Sequence, residues 1–245
     1  MDKPKTWVLI RGLARSRYHW VDFPEQLQKK LNILVVCPEL AGNGELYLEP
    51  SPSSIDKAII QLRAQIKGSA PFGLIGISLG GMLATRWAQL HPQEISHLVL
   101  INSSSTLSPF YQRLLPKNYM GLLRTLFLSS AVARETFALE ATSNNTEKWK
   151  NLLHNFAVFQ KNHPVSLKNF FQQLRLASQV NFYDVPLQKK LILVSKKDGF
   201  VAAACSEKIA ELWKCRIEYN PEAGHDLPLD DPDWILKKIQ FFIEN

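Results

Sequence analysis

The sequence predicts an α/β fold, a mostly parallel β-sheet with helices on both faces. Three observations carry this reading. Short, nearly continuous apolar runs recur along the chain, as expected of strands that are buried on both faces. Segments with helical spacing of apolar residues separate these runs. The composition, 46% hydrophobic and 21% charged over 245 residues, is that of an ordinary globular chain, at a length that α/β units often reach as one domain.

Taken in order, Thr6–Arg11 is a short apolar strand. Asp22–Lys30 follows with helical spacing at Phe23, Leu27 and Leu31. Ile33–Val36 is a β-branched run that stops at Cys37-Pro38, and a polar loop containing Pro and Gly covers Glu39–Ser53. Ser54 or Asp56 caps a helix whose apolar face is Ile59, Ile60, Leu62 and Ile66. Phe72–Ile77 is strand-like and runs directly into Ser78-Leu79-Gly80-Gly81, after which Leu79–Leu90 is helical and ends before His91-Pro92. Leu98–Asn102, Lys190–Ser195 and Arg216–Tyr219 are the remaining strands, and Cys205–Trp213 and Asp233–Phe242 the remaining helices.

One segment interrupts the alternation. From Thr106 to about Val180 the chain shows helical periodicity and linkers but no strand. The organisation predicted is a core from residues 1–105 and 181–245, with a helical cap of residues 106–180 inserted at one crossover. This insertion holds nine of the Lys and Arg residues and only three Glu, an excess of +6 within a net charge of +7. Such asymmetry fits a surface for an anionic partner, such as an acidic protein or an anionic membrane, as well as plain solubility. No nucleic-acid-binding motif accompanies it.

The apolar runs are far shorter than the ~20 residues of a membrane-spanning helix. The N-terminal apolar stretch ends at Arg11, too short for a signal-peptide core. Three scattered cysteines, Cys37, Cys205 and Cys215, form neither a disulfide framework nor a CxxC metal site. The expectation is a cytoplasmic protein with reduced thiols.

The chemistry-bearing motif is Gly76-Ile77-Ser78-Leu79-Gly80. GxSxG alone is a weak pattern, and a glycine-rich strand–helix turn without chemistry would carry it as well. Here a strand enters it and a helix leaves it, the setting of a nucleophile elbow. A strained turn lifts the serine hydroxyl from the end of the sheet, and small flanking residues let strand and helix pack closely. The turn also directs the Leu79 N–H, at the helix N-terminus, toward a reacting oxygen.

A serine hydroxyl needs a general base, and the base an orienting acid. Of six histidines, His225 stands in Glu222-Ala223-Gly224-His225-Asp226, just beyond the last strand. Loops at the C-terminal ends of strands are where open α/β sheets place their ligands. His91 and His97 sit at element ends and read as structural, while His154 and His163 lie in the insertion. Asp198, after the strand Lys190–Ser195, gives the order Ser78, Asp198, His225. Asp184 precedes that strand, and Asp226 adjoins His225 and would point elsewhere. A second oxyanion donor is the Leu13 N–H, presented by the turn Arg11-Gly12-Leu13 after the first strand.

With these pieces, Val8–Gly12, the Gly76–Gly80 elbow, the Asp198 loop and Ala223-Gly224-His225, the chain resembles the α/β-hydrolase superfamily over nearly its whole length. Within it the chain is similar to small bacterial carboxylesterases, loosely those that demethylate a pimeloyl ester on acyl carrier protein. The resemblance implies a carboxylic ester or thioester substrate and an acyl-enzyme on Ser78, without metal or organic cofactor. It also implies that the helical insertion is a cap over the acyl site, and that the basic cap could face an acidic carrier protein or an anionic lipid. Other members of the fold cleave C–C bonds, act as haloperoxidases or only bind ligands, and these stay open as alternatives. One departure is plain: Arg11 stands where the family usually has His before the oxyanion glycine.

Overall fold

The computed structural model describes residues 3–125, 127–128 and 130–244. Met1, Asp2, Leu126, Ser129 and Asn245, which the sequence-based division assigned to core or cap, lie outside the described residues.

The elements, in chain order, are β1 (Thr6–Ile10), α1 (Phe23–Leu31), β2 (Leu34–Val36), α2 (Ile55–Ala64), β3 (Phe72–Ile77), α3 (Leu79–Leu90) and β4 (Ile95–Ile101). Next come α4 (Phe110–Arg113), α5 (Tyr119–Thr125), α6 (Ala131–Thr142), α7 (Thr146–Asn162) and α8 (Leu167–Gln179). The chain closes with β5 (Lys189–Ser195), α9 (Ala203–Trp213), β6 (Arg216–Asn220), α10 (Leu227–Asp230) and α11 (Pro232–Glu244).

The six strands form one sheet in the order β2-β1-β3-β4-β5-β6. Among the described residues every pairing is parallel, in line with the expectation of a mostly parallel sheet. Side-chain alternation explains why the strands read as unbroken apolar runs. Val8, Ile10, Leu74, Leu98, Leu100, Ile192 and Val194 pack toward α2, α3 and α9. Their neighbours Trp7, Leu9, Ile75, Ile77, Val99, Ile101, Leu191 and Leu193 pack toward α1 and α11.

Local signals set several boundaries. Ser54 is the N-cap of α2 and its hydroxyl accepts from the Lys57 N–H. Ile60, expected on that helix's apolar face, is exposed, because the buried stripe runs through Ile55, Ala58, Ile59 and Leu62. β4 begins three residues earlier than its apolar run, which puts His97 inside the sheet. There it is buried between Trp7 and Phe242, and burial pushes it down to about 4.

The stretch between β4 and β5 holds α4–α8 and, among its described residues, no strand. α6 and α7 pack through Leu139, Trp149 and Phe156 against Leu229 of α10. Two of its aromatics, Phe110 and Tyr111, are 67% and 58% exposed. Arg113 is no solvent charge: its guanidinium donates to the Ala177 carbonyl at 2.6 Å and to Ser104 Oγ, and burial lowers its pKa.

Candidate active site

Because all strands run in parallel, their C-terminal ends share one edge of the sheet, and β1, β3, β4, β5 and β6 each deliver a loop there. Ser78 leaves β3 at φ 55°, ψ −120°, a conformation that an L-residue adopts only when its surroundings enforce it. They do so here. The Ser78 N–H donates to the Ile101 carbonyl at 3.0 Å. A Cβ on Gly76 would lie 2.3 Å from the Gly80 carbonyl oxygen, and one on Gly80 would lie 2.0 Å from that of Ile10. Only glycine permits this approach of strand, helix and β1. Ser78 is the N-cap residue of α3, yet its hydroxyl makes no capping bond.

His225 lies beyond β6, and its Nδ1 is 2.7 Å from Asp198 Oδ2. Both side chains are buried, 7% and 2% exposed. The other oxygen of Asp198 accepts from the N–H groups of Phe200 at 2.7 Å and Val201 at 2.9 Å, so the carboxylate is held from two sides. The Phe200 ring packs 5.2 Å from the imidazole. Asp184 is remote from this group, an exposed residue whose carbonyl accepts from Gln89.

On the other side of Ser78 is the turn after β1. A Cβ on Gly12 would sit 3.3 Å from Ser78 Cβ, so this turn lies against the serine. Among the described residues no protein acceptor pairs with the N–H of Leu13 or of Leu79, whereas the Ala14 N–H donates to Gln173 Oε1 of α8 at 2.9 Å.

These elements enclose a cavity of about 370 Å³ lined by Gly12, Leu13, Ser78, Phe200 and His225 on the sheet side. Leu122, Phe137, Ala138 and Phe170 from the helices between β4 and β5, and Val165 from the link between α7 and α8, cover it. A mostly apolar pocket of this size with a few convergent polar groups is the usual form of a small-molecule site. Part of its polar wall is Arg15, whose Nη1 donates to Glu135 Oε2 of α6 at 2.6 Å, with Gln160 donating to Glu135 Oε1. Among the described residues no group of three or more His, Cys, Asp and Glu could hold a metal ion.

Sequence reasoning missed several supports of this site. Asn102, expected only as the last residue of a strand, sits at φ 45° beyond β4 and is 2% exposed. Its Oδ1 accepts from the Ser195 N–H at 2.8 Å, and its Nδ2 donates to the carbonyl of His225 at 2.8 Å and to Ser195 Oγ at 3.0 Å. The histidine loop is also held by the inserted segment. The Asp226 N–H donates to the Thr142 carbonyl at 2.7 Å, and Asn144 Nδ2 donates to the carbonyls of Glu222 and Lys197. Asp230 accepts from the N–H groups of Gly224 and Asn144 and from the Ser143 hydroxyl. One signal was available for Asn102: it occupies the same post-strand position as Ser78.

Comparison with known proteins agrees with this architecture. The α/β-hydrolase fold family matches residues 6–232. The human monoacylglycerol lipase ABHD6 is 23% identical over 96% of this chain and 74% of its own. The pimeloyl-[acyl-carrier protein] methyl ester esterase of Aliivibrio fischeri is 31% identical, but over only 41% of this chain and 37% of its own. Among solved structures, a bacterial membrane phospholipase A superposes with a TM-score of 0.78 at 20% identity, covering 100% of this chain and 80% of that one.

Proposed function

The chain belongs to the α/β-hydrolase family, and from that premise we propose that it is a serine hydrolase that cleaves a carboxylic ester or thioester through an acyl-enzyme. The observation that carries the proposal is the 2.7 Å contact of His225 with Asp198 on the cavity into which the strained Ser78 also opens. Ser78 attacks the carbonyl carbon as His225 takes its proton. Asp198 fixes the imidazole tautomer and stabilises the imidazolium. The N–H groups of Leu13 and Leu79 receive the oxyanion. His225 then returns the proton to the leaving group, and water repeats the sequence to release the acid.

Residues 106–180 act as the cap, and their apolar lining accepts the acyl chain. The relatives' names, a lipase and an acyl-carrier-protein ester esterase, support an acyl substrate. Exposed Lys117, Arg124, Lys161, Lys168 and Arg175 support presentation by an acidic carrier protein or an anionic lipid surface. Among the described residues no helix is long and apolar enough to cross a membrane. Cys37, Cys205 and Cys215 are free thiols, which supports the cytoplasm as the site of action.

Labelling with a fluorophosphonate probe followed by mass mapping tests the mechanism. The label is expected on Ser78, and Ser78→Ala should lose both label and ester turnover, by ~10⁴-fold or more. Label on another residue, or turnover preserved in Ser78→Ala, would overturn it.

A further inference from the structure

Arg11 leaves β1 immediately before Gly12, and Asp226 directly follows His225. Two hydrogen bonds join them, Nη1 to Oδ1 at 3.0 Å and Nη2 to Oδ2 at 2.7 Å. Both side chains are almost wholly inside the protein, 5% and 7% exposed. The guanidinium lies 4.7 Å from the centre of the Trp20 ring, which fixes its plane. Burial pushes the Asp226 carboxyl up, but the Arg11 charge and hydrogen bonds outweigh it and hold the group below the usual carboxylate range. The pair is therefore a buried, ionised, bidentate bridge across 215 positions of sequence. It ties the turn that carries Leu13 to the loop that carries His225, and both partners line the same cavity as Ser78.

We propose that Arg11 and Asp226 are positioning residues, a charge-neutral clamp that holds the oxyanion turn and the histidine loop in register and cancels two charges beside the imidazole. The proposal rests on the reading of His225 as the general base. Its physical content is an asymmetry. A bidentate pair with well-matched geometry presents little net field to a neighbour. Either partner alone presents a full charge in a medium that screens poorly. An unpaired Asp226 carboxylate would favour the imidazolium, and an unpaired Arg11 guanidinium would oppose it. The other charged groups around His225 are Asp198 after β5, Arg15 after β1, Arg134 and Glu135 on α6, and Asp230 behind its own loop. None of these is altered by changing the pair.

Four variants test it: Arg11→Met, Asp226→Asn, the double variant and Arg11→Lys. The His225 ring is titrated by NMR in each, and kcat and KM are measured across pH with a small neutral p-nitrophenyl ester. Arg11→Met should move the titration and the acid limb of kcat/KM to higher pH, and Asp226→Asn to lower pH, each by about one pH unit. The double variant should return both to the wild-type position. Arg11→Lys should restore the titration but not the rate, because one ammonium cannot reproduce the planar fork. In all four, kcat should fall by roughly 10²-fold with KM little changed, as expected when reacting groups shift by about 1 Å.

Titrations that stay put, or that shift the same way in both single variants, would overturn the clamp even if every protein folds. The NMR readout needs no turnover. Opposed shifts in a protein that fluorophosphonate never labels would leave the clamp standing and remove the hydrolase reading. A labelled wild type with immobile titrations would do the reverse.

Discussion

Replacing Asn102 by alanine removes a side chain that joins three strand ends. Ser195 N–H loses its acceptor and the His225 carbonyl loses its 2.8 Å donor. Each is a buried main-chain group, and leaving one unpaired costs about 1–3 kcal/mol. Asn102 also sits at φ 45°, where alanine is less favourable than asparagine by about 1 kcal/mol. The sum is about 3–7 kcal/mol, and at roughly 2–4 °C per kcal/mol for a chain of this size Tm should drop by about 6–28 °C. The functional loss should exceed what unfolding explains, because the released carbonyl belongs to the catalytic candidate itself. Assayed well below the new Tm, kcat should fall by about 10²-fold. Asn102→Gly separates the contributions, since it loses the same hydrogen bonds but relieves the backbone, and should melt a few degrees above Asn102→Ala. Thermal melts with steady-state kinetics on a small neutral ester decide the matter. A Tm within 2 °C of wild type, or full activity in the alanine variant, would refute the idea that this side chain holds the histidine loop.

Asp198→Asn should keep the fold and lower turnover on the order of 10⁴-fold, whereas Asp184→Asn should leave ester turnover unchanged. If Asp184→Asn proves the damaging change, the acid is misassigned. Glu39 is pushed up to about 7, chiefly by burial, against its Arg17 N–H bond and charge. The folded state thus holds the proton more tightly, and stability falls as pH rises from 4.5 to about 7. Glu39→Gln should be more stable than wild type at pH 8, by at most about 3 kcal/mol, and by little at pH 4. Denaturant melts at the two pH values measure this, and an equal difference at both would refute it. If the cap's cations recruit an anionic substrate, kcat/KM for an anionic or carrier-linked ester should fall as the Debye length shrinks from ~10 Å at 0.1 M salt to ~3 Å at 1 M. A neutral ester should not respond. Lys117→Glu with Arg124→Glu should reproduce that selective loss, leaving Arg113 in place because it binds the Ala177 carbonyl.

The strands were legible because burial on both faces makes them apolar at every position, so Leu98–Ile101 and Phe72–Ile77 stand out without alternation. The elbow was legible for a different reason: the close approach at Gly76 and Gly80 demands glycine, and the demand is local. His225 and Asp198 followed from chain order and from their places just after strands. What stayed hidden joins distant segments. Nothing near Arg11 signals a carboxylate 215 positions away, and Asn102 looks like any loop residue until Ser195 and His225 surround it. The insertion was hardest to read. Its aromatics suggest an interior, but in a helix of four residues such as α4 periodicity cannot say which side is buried. Charge counting likewise gave Arg113 to the solvent, when its neighbours enclose it.

The bonds from Thr142 and Asn144 to the histidine loop bear on how such a chain could be recombined. The helices over the cavity are not an exchangeable module with clean seams at residues 106 and 180. Their midpoint is stitched to the loop that bears His225, through the Asp226 N–H and the Glu222 carbonyl, and to the loop that bears Asp198, through the Lys197 carbonyl. A chimera importing a relative's helices to reshape the cavity would sever those stitches unless residues 142–145 and Asp230 were kept as host sequence. The transplantable unit is the run before Thr142, where Leu122 and Phe137 meet the cavity, and pocket shape can diverge there while the histidine loop keeps its support.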